Sequence, residues 1–189
     1  AELIDELDIK NIFLATGSSW RKDGVGRSRR NRIQGLETIN VYSPEEAVEN
    51  YKDFNGPLVI YDDEQGYLAG VVADHLNDKN IEVIFVTPAS VVSPWTDSTL
   101  EQKRVQGALI NSGVKIICNQ SISKIENDKA LLECTYTGTI TKIPCESIVM
   151  VTERISHNEL YDSLTQSNLE EKKQYNIKLI GDAEAPGLI

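Results

Sequence analysis

The alternation of apolar and polar positions is most regular between Pro57 and Pro88, PLVIYDDEQGYLAGVVADHLNDKNIEVIFVTP. An apolar run from Leu58 to Tyr61 gives way to a polar turn, then to Leu68, Val71, Val72 and Leu76 at helical spacing, then to a second apolar run, Val83 to Val86. Short continuous runs predict strands buried on both faces, and the segment between them predicts a helix with those four side chains towards the core. Strand, helix, strand is the βαβ unit on which dinucleotide-binding domains are built.

The flanking sequence follows the same logic. Ile9 to Ala15 predicts a short buried strand, and Trp20 to Gly35, rich in charge and glycine, predicts an irregular loop. Ser43, Pro44, Glu45 and Glu46 read as a helix start with a capping box and proline at the first position. That helix should turn Ala47, Val48 and Tyr51 inward and stop near Asn55, Gly56 and Pro57. A second box, Ser98 to Glu101, predicts a helix with Val105, Ala108 and Leu109 on one face and a stop at Asn111, Ser112 and Gly113. Strand-like runs follow at Val114 to Cys118, Ala130 to Tyr136, Thr139 to Ile143 and Ser147 to Val151, with a hairpin signal at Thr137 and Gly138. They predict an antiparallel meander beside a parallel sheet. A third box, Ser156 to Glu159, predicts a helix through Leu164, then a polar stretch from Gln166 to Tyr175 and a last strand, Ile177 to Ile180. The fold class is therefore α/β, a Rossmann-like three-layer βαβ domain with a meander.

Charge narrows the partners. The 189 residues carry a formal net charge of -10, which excludes nucleic acid or an anionic membrane surface as the main partner. Apolar runs fall short of the roughly 20 residues of a membrane span. Cys118, Cys134 and Cys145 form no C-x-x-C pair and read as reduced structural thiols, and His75 and His157 lack metal-ligand spacing. The start at AELIDELD, without a methionine or a signal peptide, and the stop at Gly187, Leu188 and Ile189 point to a piece of a longer cytoplasmic protein.

Candidate chemistry lies at strand ends. The βαβ turn reads Asp62, Asp63, Glu64, Gln65, Gly66; aligned with the glycine fingerprint, Gly70 is its third glycine and Gln65 and Tyr67 replace the first two. A carboxylate facing a phosphate at about 6 Å costs about 3 kcal/mol at an effective dielectric near 20, so the turn reads as a degenerate nucleotide site, and NAD(P) is not expected there. The second strand ends in Val86, Thr87 and Pro88, with no acid for a ribose hydroxyl. By contrast, Ala15, Thr16 and Gly17, and Gly181, Asp182 and Ala183, put small residues and one acceptor at the ends of the outer strands, where ligands of open α/β sheets bind. No catalytic residue and no metal ligand is assigned. Arg21, Lys22, Arg27, Arg29, Arg30 and Arg32 suit a solvated or domain-contacting loop, and Trp95 suits a packing anchor.

The succession ATGSSWRKDGVGRSRRNRIQG, VIYDDEQGYLAGVVADHL, VTPASVVSPWTDSTLEQ and IGDAEAPGLI resembles the C-terminal part of the family of trimethylamine, dimethylamine and histamine dehydrogenases. The resemblance covers nearly the whole chain. It implies FAD- and NADPH-domain-like parts of the glutathione reductase type, following a barrel with FMN and a [4Fe-4S] cluster that lies outside this chain. Residues 1–55 and 153–189 would then be parts of an FAD-like domain and 56–152 an inserted NAD(P)-binding-like domain. The resemblance assigns Ala15, Thr16, Gly17, Gly181, Asp182 and Ala183 to an ADP or FAD site. It implies as partners the barrel of the parent chain, a protein electron acceptor and a homodimer, and it leaves the fragment itself inactive in amine oxidation. Two alternatives stay open: a non-binding scaffold or docking domain, and an NAD(P)H-binding domain like that of the dienoyl-CoA reductases.

Overall fold

The structure, a computed structural model, describes residues 4, 6, 9–54, 56–170 and 175–187. In chain order its elements are β1 (Asn11–Leu14), β2 (Ser18–Trp20), β3 (Asn40–Tyr42), α1 (Pro44–Glu49), β4 (Leu58–Asp62), α2 (Leu68–Asp78), β5 (Val83–Val86), α3 (Gln102–Asn111), β6 (Lys115–Ile117), β7 (Gln120–Ile125), β8 (Lys129–Cys134), β9 (Ile140–Pro144), β10 (Ser147–Val151), β11 (Arg154–Ser156), α4 (Glu159–Glu170) and β12 (Asn176–Leu179). Two compact units result: Ala1–Ser19 joined with Arg154–Ile189, and Trp20–Glu153.

The larger unit is built on a five-stranded sheet in the order β3-β10-β4-β5-β6, parallel throughout. Its strands are apolar on both faces because both faces are covered. Leu58, Ile60, Val83, Phe85, Val149 and Val151 pack with Ala69, Val72, Ala73 and Leu76 of α2 and Leu109 of α3. The alternate residues Val59, Tyr61, Ile84, Val86, Ile148 and Met150 pack with Ile122, Ile125, Leu132 and Ile143 of the meander β7-β8-β9. Helices, parallel sheet and meander are thus three layers. The Ser43 box is realised in full: Ser43 Oγ accepts from Glu46 N, and Glu46 accepts from Ser43 N.

Several expectations change. The buried stripe of α2 is Ala69, Val72, Ala73 and Leu76, whereas Val71 is 51% exposed; small alanines, not the larger Val71, let the helix lie close to the sheet. Val48 and Ala108 also face outward. Ser98 caps nothing: α3 starts four residues later, and the Ser98 hydroxyl donates to Trp95 O. Ser156 belongs to β11, and its hydroxyl donates to Asp182 O; α4 begins beyond it and runs through half of the expected polar stretch. The strand β7 was not expected, because QSISKI carries only two apolar positions, and both are buried. The predicted end of α1 at Asn55 lies outside the described residues; α1 itself stops at Glu49, and a 3-10 turn, Tyr51–Asp53, follows.

In the smaller unit β1 and β12 pair in parallel, Asn11 with Asn176 through Leu14 with Leu179. Only Leu14 of β1 is buried, and Phe13 is 61% exposed, so this strand is not the buried one expected. A two-stranded ribbon joins β2 and β11, of which Ser18, Ser19 and Arg154–Ser156 belong to this unit. The sequence places residues 20–55 with the outer segments, whereas the structure groups them with 56–153. The reason is a long-range pairing: β3 joins the larger sheet through Asn40–Ser147, Val41–Ile148 and Tyr42–Val149. Among the described residues no helix is long and apolar enough to cross a membrane.

Candidate functional site

In the smaller unit the parallel pairing of β1 and β12 brings residues 15–17 and 181–183 to one end of the ribbon, with Ile180 N donating to Leu14 O at 2.9 Å. Gly17 and Gly181 have φ of +78° and +62°, a region that costs other residues about 1–2 kcal/mol. A Cβ built on either meets nothing within 4 Å among the described residues. Glycine is therefore favoured by the backbone at both positions, and the space beside each is open among the described residues. Ala15 and Thr16 are exposed, and Ala183 is buried in a 3-10 turn, Gly181–Ala183. Asp182 Oδ2 accepts from Ser18 Oγ at 3.0 Å and from Arg154 Nη1 at 2.7 Å.

Three residues that the sequence reading left out hold these loops. Arg154 fixes the Asp182 carboxylate, and Ser156 Oγ donates to the Asp182 carbonyl at 2.9 Å. His157 binds the other loop four times. Its N–H donates to Gly17 O at 3.0 Å, its carbonyl accepts from Thr16 Oγ1 at 2.6 Å, its Nδ1 lies 3.0 Å from Thr16 O, and its Nε2 meets Ser19 Oγ. A carbonyl only accepts, so Nδ1 carries a proton and donates to Thr16 O. No local pattern announces these contacts, since His157 and Thr16 stand 141 positions apart.

The degenerate turn sits in the larger unit and is organised differently from the expectation. Its carboxylates do not face outward towards a phosphate. Asp62 and Asp63 are both 0% exposed. Asp62 Oδ1 accepts from Gln65 N at 2.8 Å, while its Oδ2 is buried without a hydrogen-bond partner among the described residues, and burial pushes this carboxyl up to about 8. Asp63 accepts from Ser28 N at 2.9 and 3.1 Å and from the Ser28 hydroxyl; burial outweighs these bonds and raises its pKa as well. The charge repulsion expected of an outward-facing turn is replaced by internal hydrogen bonding.

The glycines of the turn also serve the chain itself. Gln65 takes φ +67° in the place of the first fingerprint glycine, and Gly66 is buried. A Cβ on Gly70 would lie 2.7 Å from Val105 Cγ1 and 3.2 Å from Ser93 Oγ. Gly70 therefore admits α3 and the loop before it, not a closer helix–strand contact. Trp95 is 52% exposed, not a buried anchor, and the Arg27 guanidinium stacks 4.8 Å above its ring. Three other basic side chains pair within the unit: Arg21 and Arg32 with Asp23, Lys22 with Glu46.

No protein-family model and no curated protein matches the chain. Solved structures do. Histamine dehydrogenase from Rhizobium sp. 4-9 superposes with a TM-score of 0.85 at 31% identity over 95% of this chain. The 6-hydroxypseudooxynicotine amine oxidase HisD from Pseudomonas geniculata N1 gives a TM-score of 0.89 at 29% identity over 98%. The chain spans 28% of the length of each. Thioredoxin reductase of T. acidophilum shares the fold, with a TM-score of 0.62 at 12% identity over 93% of this chain and 58% of its own. The chain is thus an oxidoreductase-related α/β protein with a Rossmann-like fold. Within that class, the chain matches the C-terminal part of the trimethylamine dehydrogenase family, as its sequence motifs imply.

Proposed function

We propose that the chain is the nucleotide-binding portion of an iron-sulfur flavoprotein amine dehydrogenase, with ADP or the ADP-bearing end of FAD seated at residues 15–17 and 181–183. The observation that carries the reading is the pair of strand-end glycines, each at positive φ with open space where a Cβ would point. Backbone can approach a nucleotide closely only where no side chain intervenes. Asp182 supplies the acceptor. Both bonds described for it fall on Oδ2, so Oδ1 is the oxygen left to accept from a ribose hydroxyl. Arg154 and Ser18 fix the carboxylate in one orientation. The exposed Ala15 leaves room beside it.

In this reading the FMN and the [4Fe-4S] cluster that would oxidise the amine belong to the preceding barrel of the parent protein, and the chain by itself oxidises no amine. A cytoplasmic setting, a protein electron acceptor and a dimeric parent complete the proposal. Titration calorimetry of ADP and FAD into the complete protein, wild type and Asp182→Asn, tests it. The expected result is saturable binding by the wild type that weakens about tenfold in the variant, the loss of one charge-assisted hydrogen bond. Equal affinity in the two proteins would refute the assignment of Asp182, and absence of binding in both would refute the site.

A further inference from the structure

In the larger unit the strand order β3-β10-β4-β5-β6 places β5 and β6 on one side of β4 and β10 and β3 on the other. The C-terminal ends of β4 and β10 therefore bracket the topological switch point, the crevice in which open α/β sheets hold their ligands. A segment of the chain itself stands there. A Cβ on Gly26 would lie 2.5 Å from Asp63 Oδ2, just after β4, and 3.1 Å from Thr152 Cβ, just after β10. The Gly26 backbone thus touches both lips of the crevice. Two residues on, Ser28 gives both its backbone N–H and its hydroxyl to the Asp63 carboxylate. Gly26 N donates to Arg29 O at 2.8 Å and closes residues 26–29 into a tight loop.

Three backbone donors of the turn are engaged as well. A dinucleotide's phosphates bind free backbone N–H groups of the turn and the helix N-terminus. Here Asp63 N and Glu64 N both donate to Val151 O, at 2.9 and 3.0 Å, and Gln65 N donates to Asp62. The loop after β5 covers the start of α2, with Trp95 N donating to Gln65 O at 3.3 Å. Arg27 stacks on Trp95 and so ties this cover to the 26–28 segment.

We propose that Gly26–Ser28 is an intramolecular ligand of the switch-point crevice, so that this crevice anchors the chain's own arginine-bearing segment and takes no nicotinamide dinucleotide. The fold implies an NAD(P) site at this place, and the residues present do not fit one. Asp63 is the acceptor that a polar ligand would otherwise meet, and Ser28 fills it. The inference concerns the larger unit alone and stands independently of the nucleotide reading of the smaller one.

Limited trypsin digestion of the native protein tests the anchor, because Arg27, Arg29, Arg30 and Arg32 are cleavage sites within the anchored segment, while Arg104 on α3 reports on the rest of the unit. Gly26→Val would force a side chain against Asp63 and Thr152, and Ser28→Ala would remove one donor while leaving the Gly26 packing intact. Cleavage at 27–32 is expected to accelerate about tenfold in Gly26→Val and by a smaller factor in Ser28→Ala, with the rate at Arg104 unchanged. Unchanged cleavage at 27–32 in both variants, or equal acceleration at Arg104, would overturn the proposal. NADH and NADPH, each added to the wild type, are expected to leave cleavage at 27–32 unaltered. A saturable change in that rate with either one would show the crevice to be a working dinucleotide site and would overturn it too.

Discussion

Raising the pH from 5 to 8 should weaken the fold, and Asp62 is the group responsible. Its side chain is fully buried at the end of β4, with Oδ1 held by Gln65 N and Oδ2 without a hydrogen-bond partner among the described residues. Burial, aided by the neighbouring Glu64 and Asp63 and opposed by the Gln65 bond and Arg27, moves its pKa from 3.8 to about 8. In the unfolded chain this carboxyl has lost its proton by pH 5, whereas in the fold it keeps the proton until about pH 8. The folded state therefore binds one more proton across that window, and stability falls as pH rises. One proton corresponds to about 1.4 kcal/mol per pH unit, so the ceiling over three units is about 4 kcal/mol. That is a large part of the 5–15 kcal/mol typical of a domain. Asp23 and Glu46, lowered by Arg21 and Lys22, act with the opposite sign and only at more acid pH, where their carboxylates take up protons. Maximum stability should accordingly fall near pH 5. Urea unfolding at pH 5, 6.5 and 8 of the wild type and of Asp62→Asn measures the effect. Asparagine keeps the acceptor for Gln65 N and cannot ionise, so the variant should lose most of the decline, with a residual slope from Asp63. Parallel decline in both proteins would refute the assignment to Asp62.

Three further outcomes follow from single contacts. Gly70→Ala should destabilise by about 1 kcal/mol, because overlap with Val105 Cγ1 at 2.7 Å outweighs the gain in helix propensity, and the sign should reverse in a Val105→Ala background; denaturant midpoints decide it. Gly181→Ala should lose about 1 kcal/mol from backbone strain alone, since the added Cβ has open space; thermal unfolding that shows a loss several times larger would mean the space is filled. Ser43→Ala should remove about 1 kcal/mol by breaking the capping box of α1, read as a lowered urea midpoint without a changed slope.

The acidic turn shows how far residue patterns reach into a site. Three carboxylates after a strand were legible in the sequence, and so was the absence of the first two fingerprint glycines. Their direction was not. Asp63 turns inward because Ser28, 35 positions earlier, supplies donors at that point, and nothing in either segment names the other. The strand-end loops behave similarly. Gly17, Gly181 and Asp182 could be picked out as strand-end residues, but Arg154, Ser156 and His157, which hold them, carry no local signature.

What the sequence by itself determined is whatever acts within a few residues: the βαβ unit through its apolar runs, the start of α1 through Ser43 and Glu46, the hairpin at Thr137 and Gly138, the stop of α3 at Gly113. Only the tertiary structure decided which serine became a cap, since Ser98 and Ser156 match the capping pattern yet donate to Trp95 O and Asp182 O. It also decided that residues 20–55 join the larger unit, that Ala69 and Ala73 face inward while Val71 does not, and that the βαβ crevice is filled from within. The physical reason is common to all of these. Periodicity and capping are settled by hydrogen bonds inside one turn of chain, whereas the partner of a buried donor or a strand edge is chosen by topology from groups that the sequence holds far apart.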